Sequence, residues 1–399
     1  MTETSTGTRI VPNACQLCIA CCGINLHVSD GKITKVEGMK DHPMNRGRLC
    51  PKGSAILDWV YSPDRLQYPM KRKGNDWQRI TWDEALDTIV TKLQDIKQAY
   101  GPKSVAVCLG MVFLTQARAN IELIRRFTDV YGTPNVFSVD SMCFRLRLLS
   151  YILTLGRWAV ADLPNSKCVI LWGHNPDASS PPRAWWMVPE ALKNGAKIIV
   201  IDPRRIPFSK KADIQAFPRP GSDTALALGL MNVIISENLD DKDFVKNWTV
   251  GFDELAKVVK DYPPDKVEKI TWVPAQTIID IARLFATTKP ACIIQGWNTL
   301  DQKSSGVNNA RAVAILQAIT GNFDVAGGLI TPPPFHLRPI RLLDKTEGMP
   351  LGIDRFPLHY SVLGRLFGEG QGMALPDVML KSEPYPIKAM IVAGSNLIM

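Results

Sequence analysis

The sequence has no run of five or more lysines and arginines, although 47 Lys and Arg against 38 Asp and Glu leave it at +9. Charge scattered in this way fits a solvated surface, an acidic redox partner or dinucleotide pyrophosphates held inside, and no nucleic acid partner is expected. No apolar stretch is long enough to span a bilayer, and residues 1–9 carry neither an apolar signal core nor a twin arginine. The expectation is a cytoplasmic chain with no direct membrane span. Gly-x-Gly-x-x-Gly is missing, which removes the nicotinamide-type fingerprint. Beyond the N-terminal cysteines no separate Cys-x-x-Cys or His pair follows, which argues against a structural zinc site. At 399 residues and 46% hydrophobic, the chain is long enough for two or three domains with sizeable cores.

What is present begins with Cys15-Gln-Leu-Cys18-Ile-Ala-Cys21-Cys22, answered after a polar stretch by Cys50-Pro51-Lys52-Gly53. Clustered thiolates plus one remote thiolate followed by proline form a ligand set for an iron–sulfur cubane, which needs one Cys per iron and a loop folded around it. The spacing alone leaves the register open. Cys15, Cys18 and Cys21 fit one pattern and Cys15, Cys18 and Cys22 another, and adjacent cysteines are poorly placed to reach two corners of one cluster.

Residues 24–37 alternate apolar and polar about Asp30-Gly31, a hairpin signal that puts the cysteines in a small β-rich module. Thr81 followed by Glu84 predicts a capped helix with Ala85, Ile89, Val90 and Leu93 on its apolar face. Residues 104–110 read as a buried strand, 115–131 as a helix and 135–138 as a short strand. Cys143 then falls between a strand end and a helical run, where an α/β domain projects side chains into a crevice; a lone Cys is otherwise a small core residue.

Residues 167–175 form an apolar run ending in Gly173-His174-Asn175, a buried parallel strand whose end meets a ligand. A helix over 183–194 leads to a second buried strand ending in Asp202-Pro203-Arg204-Arg205. An acid there is the usual partner of ribose hydroxyls, and the adjacent arginines suit phosphate. Gly221-Ser222-Asp223 enters a helix whose free N–H groups favour an anion. Charged helices over 240–274, a helix over 275–287, a strand ending at Gly296-Trp297 and a helix over 308–320 follow, and Gly- and Pro-rich residues 327–334 mark a domain boundary. Residues 335–380 carry weak periodicity. At the end, Lys388 to Gly394-Ser395-Asn396 repeats the Lys-x-apolar-Gly-x-Asn pattern of residues 167–175, which implies two related nucleotide-binding domains.

Cys-x2-Cys-x3-Cys with a distant Cys-Pro-Lys-Gly resembles the cluster domain of the molybdenum or tungsten bis-pterin oxidoreductases, and the resemblance runs through essentially the whole chain. It implies Cys15, Cys18, Cys22 and Cys50 as [4Fe–4S] ligands, with Cys21 a neighbour. It places Lys52 on the electron path between cluster and pterin, and makes Cys143 the protein ligand to molybdenum or tungsten. Two molybdopterin guanine dinucleotides, one per repeated domain, are implied, with contacts at Gly173, Asn175, Asp202, Arg204, Gly221, Asp223, Gly296, Trp297, Gly394 and Asn396. The expected fold class is α/β: a β-rich [4Fe–4S] module (1–65), then two related doubly wound αβα dinucleotide-binding domains (66–139 plus 335–399, and 140–334). The former is expected to be incomplete and the chain a fragment, because no helix follows residue 396.

The resemblance implies a two-electron oxidoreductase acting on a small molecule, with a ferredoxin-like iron–sulfur subunit as electron partner. A non-redox tungsten hydratase of the acetylene hydratase type is the alternative, supported by likeness over residues 82–86, 142–143, 201–205 and 245–267. Its catalytic Asp follows the second cluster Cys, where this chain has Ile19, an apolar side chain with no proton to transfer. Formate-oxidising relatives have His after the metal ligand; here it is Phe144. A cofactor-free cluster-carrying subunit is a further alternative, against which Cys143, Asp202, Asp223 and both Gly-x-Asn turns stand.

Overall fold

The computed structural model describes residues 2–3, 8–111, 118–296, 299–333, 340–342, 345–364 and 368–396. The chain divides into two compact units, Met1–Ser141 with Leu337–Met399, and Met142–His336.

The first unit opens on an antiparallel meander in which Gly23–Ser29 pairs with both Arg9–Ala14 and Lys32–Gly38. Asp30 and Gly31 both have positive φ, 49° and 75°, the two left-handed positions a two-residue hairpin needs to match strand twist. The helix Trp82–Tyr100 starts at Thr81, whose hydroxyl accepts from the Glu84 amide at 3.1 Å. Only this half of the expected capping box forms, because the Glu84 carboxylate pairs with Lys71 instead. The predicted apolar face is present but uncovered within this unit: no residue of the helix is buried, and Ile89 and Val90 are exposed.

Val105–Leu109 is the central strand of a parallel sheet, with Val136–Ser138 on one side and Ala389–Ala393 on the other. The helix read over 115–131 is described from Arg118 to Tyr131; residues 115–117 lie outside the described residues. Within the segment of weak periodicity, described residues are held by polar anchors. Asp129 accepts two hydrogen bonds from the Arg341 guanidinium, both 2.7 Å, one from the Leu342 amide and one from Thr346. Asn135 accepts from the Leu351 amide at 3.0 Å, and Leu351, Leu375 and Val378 pack on Ala106 and Phe137.

In the second unit the strands run in the order Ile214–Ala216, Lys197–Ile201, Cys168–Trp172, Ala291–Gln295, all parallel. Their residues alternate between two cores. Ile170, Trp172, Ile199, Ile201 and Ile293 face the helices Asp223–Ser236, Ala275–Thr287 and Gly306–Ile319. Val169, Leu171, Ile198, Val200 and Ile294 face Leu163, Val188 and Ala191. Burial on both faces is why these strands read as unbroken apolar runs, and each fully buried aliphatic contributes about 1.5–3 kcal/mol. The helix expected over 183–194 is two pieces, a π-helical turn Arg183–Met187 and an α-helix Val188–Lys193. Among the described residues no helix is long and apolar enough to cross a membrane.

Candidate functional site

Cys15 and Cys22 are buried, at 5% and 8% exposure, Cys18 and Cys50 are partly so, and Cys21 is exposed. The Cys15 amide donates to the Cys22 carbonyl at 2.7 Å, closing the loop on itself. Cys21 takes a left-handed φ of 45°. Cys50 stands at the N-cap of Pro51–Ser54, which puts the exposed Lys52 in the first turn behind it. Burial first, then the charges of Cys18, Cys15 and Cys50, push the Cys22 thiol up to about 11; Cys15 rises for the same leading reason, with Cys18, Cys50 and Cys21 adding to it. Cys15, Cys18, Cys22 and Cys50 are thus brought together. Among the described residues no three His, Cys, Asp or Glu side chains converge closely enough for a single ion, so the thiols neighbour one another without closing on one point.

A residue that sequence reasoning missed delivers Cys50. Asn45 is fully buried, accepts from the Gly23 amide at 2.8 Å, and donates to the Gly23 and Arg48 carbonyls at 3.0 and 2.8 Å. It staples the returning loop to the residue after Cys22. Its only mark in the sequence is a polar Asn in a Gly/Arg loop, a residue type that usually makes turns.

In the second unit Gly173, Asn175, Asp202 and Gly296 gather at the C-terminal ends of neighbouring parallel strands, where α/β sheets bind ligands. Gly173 has φ 54°, and a Cβ on Gly296 would lie 1.7 Å from the Gly173 carbonyl oxygen, so neither position admits a side chain. Asp202, 1% exposed, uses Oδ1 to accept from the Arg204 amide at 2.8 Å and Nε at 3.3 Å. Its Oδ2 and the Asn175 Oδ1 are buried with no partner among the described residues, which leaves two unsatisfied acceptors at these strand ends. Arg204 therefore braces Asp202 through its Nε. Gly221 has φ 89° and open space around it. Asp223, the first residue of its helix, is committed inside the protein: Trp172 Nε1 donates to it at 3.0 Å and Lys303 pairs with it at 3.1 Å. Trp297 lies outside the described residues. Cys143 is half-buried at the N-cap of Phe144–Leu155.

The first unit repeats this construction. The Gly110 amide donates to the Ala393 carbonyl at 2.9 Å, as Gly296 does to Trp172 at 2.8 Å. A Cβ on Gly110 would lie 1.7 Å from the Gly394 oxygen, and Gly394 has φ 61°. Asn396, two residues on, is exposed. Gly110, the counterpart of Gly296, was readable only as a strand end.

Residues 8–62 match the molybdopterin oxidoreductase Fe4S4 domain and residues 65–332 match molybdopterin oxidoreductase. Acetylene hydratase of Syntrophotalea acetylenica is 35% identical over 96% of this chain and 57% of its own length. The F420-dependent formate dehydrogenase 2 subunit alpha of Methanococcus maripaludis is 33% identical over 81% of this chain and 47% of its own length. The solved acetylene hydratase from Pelobacter acetylenicus superposes with a TM-score of 0.86 at 33% identity, covering 97% of this chain and 57% of that one. The chain spans about half the length of the curated relatives it matches. Two family domains in succession, on a thiol nest and a glycine-lined crevice, show that the chain belongs to the molybdopterin oxidoreductase family, whose cofactors are a [4Fe–4S] cluster and molybdopterin with molybdenum or tungsten.

Proposed function

We propose that this protein is a molybdenum- or tungsten-dependent oxidoreductase that moves two electrons between a small-molecule substrate and a partner. The observation that carries the reading is the thiol nest of Cys15, Cys18, Cys22 and Cys50, with Lys52 in the turn behind its last member. Bound there, the cluster supplies a one-electron relay, and the metal–pterin centre the two-electron step. The chain's own residues do the holding. The four cysteines ligate the cluster, and the half-buried Cys143 thiolate, a soft donor suited to a sulfur-bound metal, ligates molybdenum or tungsten.

The crevice residues fit a dinucleotide. The unsatisfied Asp202 Oδ2 and Asn175 Oδ1 accept from ribose hydroxyls or guanine N–H groups, Gly221 leaves open space beside its backbone, and Gly173 and Gly296 let the two strand ends pack closely around the crevice. Arg204 fixes the carboxylate, and Asp223 acts by orienting Trp172 and Lys303. The repeated Gly110/Gly394 construction, with Asn396, supports a second guanine dinucleotide of the same kind. The electron partner is a ferredoxin-like iron–sulfur subunit, and the address is the cytoplasm, where cluster-ligating cysteines stay reduced.

A hydratase is the second reading, favoured by the likeness to acetylene hydratases. Ile19 weighs against it: the residue after Cys18 is apolar and 50% exposed, so no carboxylic acid stands there.

X-ray absorption on the full-length protein tests the metal ligand. A molybdenum or tungsten sulfur shell that loses one scatterer in Cys143→Ala is expected, and an unchanged shell with unchanged activity would return Cys143 to a packing role.

A further inference from the structure

The crevice of the Met142–His336 unit holds more positive charge than its own residues neutralise. Arg147 is tied down through its two terminal nitrogens: it donates to the Gln295 carbonyl at 3.1 Å and to the Gly296 carbonyl, and pairs with Asp301 at 2.8 Å. Asp223 is likewise matched by Lys303. Arg183 is left over, with no hydrogen-bonded or ion-paired carboxylate among the described residues. It opens the π-helical turn Arg183–Met187, a wide turn that interrupts helix regularity and recurs at functional sites.

His174, between Gly173 and Asn175 at the strand end, is close enough for the Arg183 charge to act on its ring. The ring is 1% exposed and neither nitrogen has a partner among the described residues. Burial, then the nearby guanidinium groups of Arg183 and Arg147, hold its pKa down to about 3, so the imidazole is neutral and offers one N–H donor. Arg183 is itself pushed down to about 10 by burial and then by Arg147. A desolvated guanidinium without counter-charge beside a buried, unpaired imidazole is an expensive arrangement for a protein to keep unless a ligand completes it.

We propose that Arg183 and His174 form an oxyanion-binding site in this crevice, the guanidinium forking onto two oxygens and the imidazole N–H donating to the anion. A bidentate fork is the geometry that carboxylates, phosphates and the oxyanions of sulfur and nitrogen share. The oxyanion comes either from a phosphate of the bound dinucleotide or from a small anionic substrate. The assignment to this crevice rests on the proposed function, which makes it the place where cofactor and substrate meet.

The test compares the full-length, cofactor-loaded protein with Arg183→Met and Arg183→Lys. Guanine nucleotide released per chain and iron per chain are measured on each. Melting temperature is followed against formate and against sulfate, with sodium chloride at matched ionic strength as the reference. If the anion is the cofactor phosphate, Arg183→Met retains at least tenfold less nucleotide while iron stays at the wild-type level. If it is the substrate, nucleotide is unchanged, formate or sulfate raises the wild-type melting temperature saturably, and Arg183→Met needs at least tenfold more anion for the same rise. Wild-type nucleotide content together with wild-type anion response in Arg183→Met would overturn the proposal. Should that variant fail to fold, Arg183→Lys, which keeps the charge and loses the fork, is measured in its place, and the same outcomes support or overturn the site. None of them requires turnover, so a failed redox assay would count against the proposed reaction and leave the anion site standing.

Discussion

Cys21 and Cys22 are adjacent, yet their surroundings differ enough to separate their roles. Cys22 is buried beside Cys15 with its carbonyl closing the loop, whereas Cys21 is exposed on a left-handed backbone with its thiol turned toward the Cys18 carbonyl. Cys22→Ser should therefore abolish the cluster and Cys21→Ser should leave about four irons per chain, read by metal analysis. The reverse result would move the ligand set to Cys21. The candidate ligands were legible because metal chemistry fixes residue type and spacing. Asn45 was not, because what it does is set by two buried hydrogen bonds to Gly23, a residue distant in sequence. Asn45→Ala takes the side-chain acceptor from the Gly23 amide, at about 1–3 kcal/mol for a buried group left unpaired, while the Gly23 carbonyl keeps the Met39 amide. It should lower the iron retained on dilution without altering the spectrum of the cluster that remains. His174 and Arg183 were hidden for a different reason: a missing partner cannot be read from a sequence.

At the level of elements, the strands were the most legible part. Burial on both faces writes itself as continuous Val/Ile/Leu runs, and the residues after those runs fell where parallel sheets bind ligands. The Gly-x-Asn repeat was visible, whereas the glycine opposite each was half visible: Gly296 is marked by the Trp that follows it, and Gly110 has no such neighbour. Residues 335–380 gave only weak periodicity; among the described ones, Arg341, Leu342, Thr346 and Leu351 are held from outside, by Asp129 and Asn135, which their own pattern cannot show.

Asp129 supplies a stability prediction for that segment. Burial pushes its carboxyl up, but the Arg341 guanidinium, the Leu342 amide and Thr346 together outweigh burial and hold it below the ordinary carboxylate value. A pKa lower in the folded than in the unfolded state adds stability that is complete above the unfolded value and disappears as pH falls through the folded one. Wild-type stability should thus decline on acidification below about pH 4. Asp129→Asn should be about 3–5 kcal/mol less stable at neutral pH, with Arg341 left unpaired, and should show a flatter acid limb in denaturant melts taken at successive pH values. An Asn variant with wild-type stability at neutral pH would mean that the segment is held by its apolar contacts with Ala106 and Phe137 alone.

For the whole molecule, the central claim is that this protein moves electrons, and the hydratase reading is the one it must exclude. Both readings share the fold, the cluster and the pterins, so composition and architecture cannot separate them. What separates them is whether turnover uses the path beside Lys52, which follows Cys50-Pro51 and has no ion-pair partner among the described residues. The decisive measurement is turnover of the full-length, cofactor-loaded enzyme with an artificial electron donor or acceptor, wild type against Lys52→Met, beside an acceptor-free assay of alkyne hydration. Slower dye-linked turnover is expected in Lys52→Met with iron and molybdenum or tungsten still bound, and no hydration by either form. Hydration of an alkyne by the wild type without any acceptor, unchanged in Lys52→Met, would contradict the central claim.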